Sequence, residues 1–214
     1  AYISCDVGLP ADVWTTMVNR VVESSFNSIS VDGDTSTNDA CLAFAAGPPL
    51  DKQYIDILEV GLKKVADHLA KSIARDGEGA NCLLEVEVIG AYDDVAARTI
   101  ARTICSSSLV KTAIHGCDPN WGRIIAAAGR AGVDFLPNAL SLWIGSHQLI
   151  QQGDLLEFDP KVISDYMRKQ RAGTYLKNDS ISIRLEIGNG QGAAICWGCD
   201  LSDQYVRINA DYTT

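Results

Sequence analysis

Leu84-Glu85-Val86-Glu87-Val88 indicates the fold class, because apolar and acidic side chains alternate strictly along it. Successive side chains of a β-strand point to opposite faces, so the alternation predicts a strand with one buried face and one face in water. On such a face, Glu85 and Glu87 are explained more readily as solvated side chains than as catalytic acids. The stretch predicts architecture and carries no functional assignment.

A second alternation, over residues 181–187, predicts another strand late in the chain. The glycine-rich segment Gly188-Asn189-Gly190-Gln191-Gly192 separates it from an apolar run at residues 193–197. Short glycine-rich connections between two strands are typical of β-hairpins. We therefore expect these two strands to pair directly with each other.

Helical spacing of apolar residues appears between the predicted strands. Steps of three and four predict one helix after Pro10 and another that carries residues 58–73 and ends before Asp76. A third helix is predicted over residues 93–107. Two more are expected to begin at prolines, one at Pro119 capped by Asp118 and one after Asp159-Pro160 that runs to about residue 169.

The remaining strands complete an α/β pattern. They are predicted at residues 2–5, 29–31, 40–46, 140–144 and 147–150. The run at 40–46 is apolar throughout, which is typical of a strand covered on both sides. The sequence thus predicts an α/β fold of layered helices and mixed β-sheets, with residues 1–214 forming a single unit or two closely packed lobes.

Composition excludes several classes of function. A net charge of −9 and a pI near 4.7 argue against binding to nucleic acid or to an anionic membrane. The sequence contains no run of about 18 apolar residues that could span a membrane. Seven cysteines, an odd number of which several lie in apolar runs, favour a reducing compartment. The pair Cys196-Trp-Gly-Cys199 alone is a weak metal or redox signal. No signal peptide or transit sequence is recognised, and the start at Ala1 suggests that an upstream segment was removed.

The polar stretch, residues 32–39, has the densest set of short polar side chains in the sequence, Asp32-Gly33-Asp34-Thr35-Ser36-Thr37-Asn38-Asp39. Such residues often hydrogen-bond their own backbone, so one interpretation is a self-satisfied turn. The other is a site, because Asp32 and Asp34 resemble the aspartate pair of magnesium-dependent phosphotransferases. An EF-hand is excluded, since Thr37 stands where that loop requires glycine.

Five segments together resemble one known family. They are residues 32–39, Asp76-Gly77-Glu78-Gly79-Ala80, Leu109-Val110-Lys111-Thr112-Ala113, Asp118-Pro119-Asn120-Trp121-Gly122-Arg123, and the ending at residues 200–214. In this order the chain resembles the ornithine acetyltransferases, also called bifunctional glutamate N-acetyltransferases. The likeness is to the β chain, the C-terminal product of a precursor that cleaves itself in front of a threonine.

The resemblance implies an N-terminal-nucleophile fold and a mechanism. In that family the new N-terminal threonine accepts the acetyl group of N-acetylornithine, releases ornithine and passes the acetyl group to glutamate, a step of arginine biosynthesis. No metal or cofactor is implied, and whether acetyl-CoA also serves as an acetyl donor stays open. The implied partner is the α chain of the same precursor, which supplies the oxyanion-hole donors, in an α2β2 heterotetramer.

The resemblance also implies the site residues. The nucleophilic threonine is expected just before Ala1, so no catalytic residue lies within this sequence. The family's substrate-binding glutamate, asparagine and threonine match Glu78, Asn209 and Thr214. Glu78 lies between two glycines, which would let it approach a ligand closely and pair with an amino group. The alternative is that Glu78 is an exposed loop acid without a ligand.

Three other functions stay open at this stage. They are a related self-cleaving aminopeptidase, a magnesium phosphotransferase that uses Asp32 and Asp34, and a catalytically degenerate subunit. The resemblance implies a cytoplasmic enzyme, or an organellar one if the removed precursor segment carried a transit peptide.

Overall fold

The computed structural model describes residues 1–212, which form seven α-helices and eight β-strands. The α/β fold with layered helices and mixed sheets is as predicted. None of the helices in this range is long and apolar enough to cross a membrane. The elements are β1 (Tyr2–Cys5), α1 (Ala11–Glu23), β2 (Leu42–Ala45), α2 (Ile55–Arg75), β3 (Leu83–Ala91), α3 (Asp94–Cys105), α4 (Ser108–His115), α5 (Trp121–Gly129), β4 (Ser141–Ile144), β5 (His147–Gln151), β6 (Asp154–Leu155), α6 (Pro160–Arg171), β7 (Ser180–Glu186), β8 (Gly192–Cys199) and α7 (Asp203–Asp211).

The chain divides into two compact units. The first contains residues 1–27 and 34–70, and the second contains residues 28–33 and the chain from Lys71 onward. Helix α2 therefore contributes residues to both units.

The first unit is built on a two-stranded parallel sheet of β1 and β2. Its small core includes Ile3 of β1, Met17 and Val21 of α1, and two residues of α2. The second strand was predicted to be covered on both sides, but within residues 1–212 of this chain it is covered on one side only. Leu42 is 43% exposed and Phe44 is 56% exposed, because side chains alternate across this strand and only one face has a covering layer among the described residues.

The second unit contains a six-stranded mixed sheet in the order β6-β5-β4-β7-β3-β8. The predicted strand at residues 84–88 is the core of β3, which pairs in parallel with β7 and antiparallel with β8. The predicted hairpin is therefore wrong, since β3 lies between the two strands that were expected to pair. Helix α3 covers this part of the sheet, and its buried residues join one continuous core with those of the strands.

The glycine-rich segment explains why the hairpin prediction failed. The chain crosses the end of β3 there, and Gly190 donates a backbone hydrogen bond to the carbonyl oxygen of Gly90 at 3.1 Å. A Cβ on Gly190 would stand 1.8 Å from the carbonyl oxygen of Ala91. The glycines permit a close crossing over a third strand rather than a tight turn between neighbours.

The acidic face of β3 is only partly in water. Trp197 donates its indole N–H to Glu85 at 2.8 Å, and Lys71 pairs with the same carboxylate oxygen at 2.8 Å. The Lys71 ammonium also lies 5.2 Å from the Trp197 ring centroid. Glu85 is thus paired with Lys71 and Trp197 and is not a solvated side chain without partners.

Other boundaries differ from the sequence prediction in detail. Helix α4 was not predicted. Helix α5 begins at Trp121 and is capped by Asn120, two residues later than expected. The expected strand at residues 29–31 is reduced to one bridge between Ile29 and Trp197. Helix α6 opens at Asp159-Pro160 as predicted, and the Asp159 side chain caps it.

Candidate functional site

Glu78 occupies an exposed turn, residues 76–80, between α2 and β3; we call it the Glu78 turn. Its two glycines are required by packing within the second unit. A Cβ on Gly77 would stand 2.9 Å from the Cys199 sulfur, and one on Gly79 would stand 2.8 Å from the hydroxyl of Ser202. Gly79 also has a φ of +68°, which L-residues rarely adopt. The turn is therefore packed closely against other elements while the Glu78 side chain stays exposed.

The start of the turn is fixed by a buried ion pair. Arg75, the last residue of α2, contacts the Asp179 carboxylate at 2.5 Å and donates to the carbonyl oxygen of Ala80 at 3.1 Å. The Asp179 side chain is fully buried, and its other oxygen accepts a hydrogen bond from the Leu176 amide at 2.9 Å. The guanidinium lies 5.5 Å from the Tyr175 ring centroid. These contacts hold both ends of a five-residue turn in one place.

The end of the turn is fixed by a second buried carboxylate, Asp200. It accepts hydrogen bonds from the Asn81 amide at 2.6 Å, the Asn81 side chain at 3.0 Å, the Cys82 amide at 3.2 Å and His115 Nδ1 at 2.8 Å. Burial by itself would raise the pKa of Asp200, but these hydrogen bonds outweigh it, and the pKa lies below its ordinary value. Asp200 is therefore ionised at neutral pH.

Helix α7 supports the turn from the side. Ser202 caps this helix by accepting from the Tyr205 amide at 3.3 Å, and it donates its hydroxyl to the carbonyl oxygen of Gly79 at 2.7 Å. Asn209 is exposed near the end of the same helix, where its side chain donates to the Tyr205 carbonyl at 3.0 Å. Asn209 lies seven positions after Ser202, which is about 10 Å along a helix axis. Thr214, the third predicted binding residue, lies outside the described residues.

The polar stretch is exposed from Asp32 to Asp39. Ser36 accepts hydrogen bonds from the amides of Asn38 at 3.4 Å and Asp39 at 3.1 Å, which is the local backbone bonding expected of a turn. Asp32 and Asp34 each have an interaction partner. Within residues 1–212, no group of three or more histidine, cysteine, aspartate or glutamate residues is arranged to hold a metal ion.

The cysteines are unpaired thiols. Burial raises the pKa of Cys196 to about 12 and also raises the pKa of Cys199, so both thiols of the Cys196-Trp-Gly-Cys199 segment are protonated at neutral pH. Lys111 is buried nearby and donates to the carbonyl oxygen of Val31 and, at 3.6 Å, to the Cys199 sulfur. The segment is part of the core.

Sequence reasoning missed the residues that hold the Glu78 turn, namely Arg75, Asp179, Asp200 and His115. One signal was present: Asp179 directly precedes strand β7 and Asp200 directly follows strand β8. A charged residue that flanks a buried strand requires a partner, but the sequence does not say which one.

Comparison with known proteins covers the whole chain. The ArgJ family model matches residues 1–214. The arginine biosynthesis bifunctional proteins ArgJ of Prochlorococcus marinus strains NATL2A and MIT 9313 are 64% identical over 214 residues and 62% identical over 213 residues. All of this chain is covered, but only 51% and 50% of those proteins, so the chain spans about half the length of the curated relatives it matches. A crystal structure of arginine biosynthesis bifunctional protein argJ from Bacillus halodurans has a TM-score of 0.90 and 35% identity, covering 99% of this chain and 98% of that chain.

Proposed function

The chain belongs to the ArgJ family, and from this membership we propose that it is the β chain of an acetyltransferase of arginine biosynthesis. The single observation that carries the proposal is the family match over residues 1–214. The proposed reaction moves the acetyl group of N-acetylornithine to glutamate. The relatives are named arginine biosynthesis bifunctional proteins, and acetylation of glutamate with acetyl-CoA is proposed as a second activity of the same pocket.

The proposed nucleophile is a threonine in front of Ala1. Its hydroxyl oxygen attacks the acetyl carbonyl while its own α-amine takes the hydroxyl proton, and the amide bond breaks as ornithine leaves with a proton on its nitrogen. The resulting acetyl ester is then attacked by the amino group of glutamate, which restores the threonine. Two half-reactions that share one acetyl-enzyme give ping-pong kinetics.

The proposed partner is the α chain, the other half of the precursor. The chain matches about half the length of its curated relatives, which leaves room for such a partner. The two-stranded sheet of the first unit supports the same proposal, because Tyr2, Leu42 and Phe44 are exposed on it. Parallel sheets are normally covered on both faces and have more than two strands. The expected assembly is an α2β2 heterotetramer in which the α chain supplies the oxyanion-hole donors.

Within this chain, Glu78, Asn209 and Thr214 are the proposed substrate contacts. An exposed carboxylate on a rigid turn can pair with the single free amino group of N-acetylornithine at little cost in conformational entropy. Asn209 offers a neutral donor and acceptor for the amino-acid head group. Binding of a cationic amino group by Glu78 is consistent with the net charge of the chain, which is −9.

The test begins with the matured protein purified from the full precursor. Incubated with N-acetylornithine alone, its β chain should gain about 42 Da, the mass of one acetyl group replacing a hydrogen. Adding glutamate should remove that mass and produce N-acetylglutamate. Glu78→Gln should raise the KM for N-acetylornithine about tenfold or more, because a charge-assisted hydrogen bond is lost. Glu157→Gln, at a loop glutamate of the same unit, serves as the matched control.

Other outcomes would assign one of the alternative functions. Peptide hydrolysis without acetyl transfer would indicate the related aminopeptidase. Phosphoryl transfer abolished by a chelator would indicate the phosphotransferase on Asp32 and Asp34. A correctly cleaved complex with no acetyl exchange would indicate a degenerate subunit.

A further inference from the structure

We propose that Asp200 is a positioning residue that determines where the Glu78 carboxylate stands. The inference rests on the proposed function, because it assumes that Glu78 contacts the substrate. Asp200 itself is fully buried and directly follows β8, so it acts through other residues and not on the substrate.

The hydrogen bonds of Asp200 are directed at the end of the Glu78 turn. Three of its four bonds come from Asn81 and Cys82, the residues that join the turn to β3. The fourth comes from His115, the last residue of α4. A single carboxylate therefore fixes the turn with respect to β8 and α4 at once.

A short chain of contacts continues from Asp200 to the residue beside Glu78. The Asn81 side chain, held by Asp200, also donates to the carbonyl oxygen of Gly79 at 3.3 Å. That same carbonyl accepts the Ser202 hydroxyl at 2.7 Å. Residues 200 and 202 thus hold the peptide group of the residue that follows Glu78, and movement of Asp200 is transmitted to it.

An asparagine cannot reproduce these contacts. A carboxylate accepts at both oxygens, whereas a carboxamide accepts at one and donates at the other. In the Asp200→Asn variant, with the new oxygen placed toward the Asn81 and Cys82 amides, the carboxamide nitrogen would face the Asn81 Nδ2 donor. The contact with His115 would be kept only in the tautomer whose Nδ1 accepts. The shape of the side chain is kept, so the expected defect is displacement of the turn rather than loss of the core.

The test is a double-mutant cycle on the matured two-chain enzyme, using Glu78→Gln, Asp200→Asn and both together. If Asp200 acts through Glu78, Asp200→Asn should raise the KM for N-acetylornithine about fivefold or more and change kcat by less than about twofold. In the Glu78→Gln background the same substitution should add almost nothing, because coupled residues are not additive. Asp159→Asn, which changes a carboxylate that caps α6, is the matched control and should leave KM unchanged.

Each of the following results would support or overturn the role proposed for Asp200. An equal effect of Asp200→Asn in both backgrounds would overturn it, since a purely structural defect does not depend on Glu78. If Glu78→Gln alone leaves KM unchanged, Glu78 does not contact the substrate. The inference about Asp200 is then overturned as well, and the single variant shows that the substrate role of Glu78 is the cause. If Asp200→Asn prevents maturation, Asn81→Ala takes its place. That variant removes the side-chain bonds to Asp200 and Gly79 and keeps the Asn81 amide bond, so it should show the same dependence on Glu78, and an effect independent of Glu78 would overturn the inference.

Discussion

The polar stretch and the Glu78 turn differ in how they are held, although both are exposed and acidic. The polar stretch has three aspartates within eight residues; Ser36 accepts two local bonds there, and Asp32 and Asp34 each have a partner. The Glu78 turn has fewer polar residues but is held by two buried carboxylates, Asp179 and Asp200, from distant parts of the sequence. Density of polar side chains therefore does not indicate how firmly a loop is held, whereas the buried carboxylates show that the Glu78 turn is anchored over long range.

The largest difference between the two loops is expected on removing a buried anchor. Asp179→Ala leaves the Arg75 guanidinium, only 16% exposed, without its carboxylate. Breaking one side of a buried ion pair costs about 3 kcal/mol in the free energy of unfolding. Asp39→Ala in the polar stretch should change it by less than about 0.5 kcal/mol. Thermal unfolding of the two variants makes the comparison, and equal shifts would remove the distinction between the loops.

Glycine substitution should give the next largest difference. Gly79 and Gly33 both have positive φ, +68° and +99°. A Cβ on Gly79 would meet the Tyr205 amide nitrogen at 2.8 Å, whereas the nearest atom to a Cβ on Gly33 is 3.9 Å away. Both alanine variants should lose about 1 kcal/mol through backbone strain, and Gly79→Ala should lose about 1–2 kcal/mol more through the clash. Unfolding of both variants in urea would check this, and Gly33→Ala as the more damaging change would contradict it.

The two serines that organise the loops provide a smaller contrast. Ser202 is buried, caps α7 and bonds the Gly79 carbonyl, so Ser202→Ala should cost about 1–2 kcal/mol in the free energy of unfolding. Ser36 is exposed, and Ser36→Ala should cost less than about 0.5 kcal/mol. Melting temperatures measured side by side are sufficient. A Ser36 effect as large as that of Ser202 would show that local bonding holds the polar stretch as firmly.

Near neutral pH, the smallest effect on the free energy of unfolding is expected from titration of Asp200. Its folded-state pKa lies below the ordinary value of 3.8, so its ionised form contributes stability that is fully present above about pH 5. That contribution is lost as the pH falls through the folded-state pKa. Stability measured from pH 7 to pH 2 should therefore fall more steeply for the native protein than for Asp200→Asn in the acid range. Identical slopes would contradict the prediction.

Local features of the fold were predictable and strand order was not. The strand at residues 84–88 and the helix that opens at Asp159-Pro160 depend on neighbouring residues, and both predictions are confirmed. The hairpin prediction failed because a strand's partner is chosen by the whole sheet, and β3 fits between β7 and β8. Helix α4 escaped prediction because its eight residues give too short an apolar pattern to recognise.

The family was also predictable, whereas the construction of the site was not. The resemblance carried by five segments is confirmed by the match over residues 1–214. The assignment of Glu78 as a binding residue came from that resemblance and not from its local sequence, since an acid between glycines is common in loops. Its anchors could not be predicted, because the Arg75–Asp179 and Asn81–Asp200 contacts join residues that are 104 and 119 positions apart.

The position of β3 in its sheet has a consequence for how the chain folds. Both neighbours of β3 follow it by roughly a hundred residues, since Leu83 pairs with Ser180 on one side and Cys199 on the other. At a synthesis rate of about 5–20 residues per second, β3 waits roughly 5–20 s on the ribosome for its partners. During that time both of its edges are open to pairing with other chains. Folding should be slow for a unit of this size, and chaperones that shield unpaired strands should raise the yield of native protein.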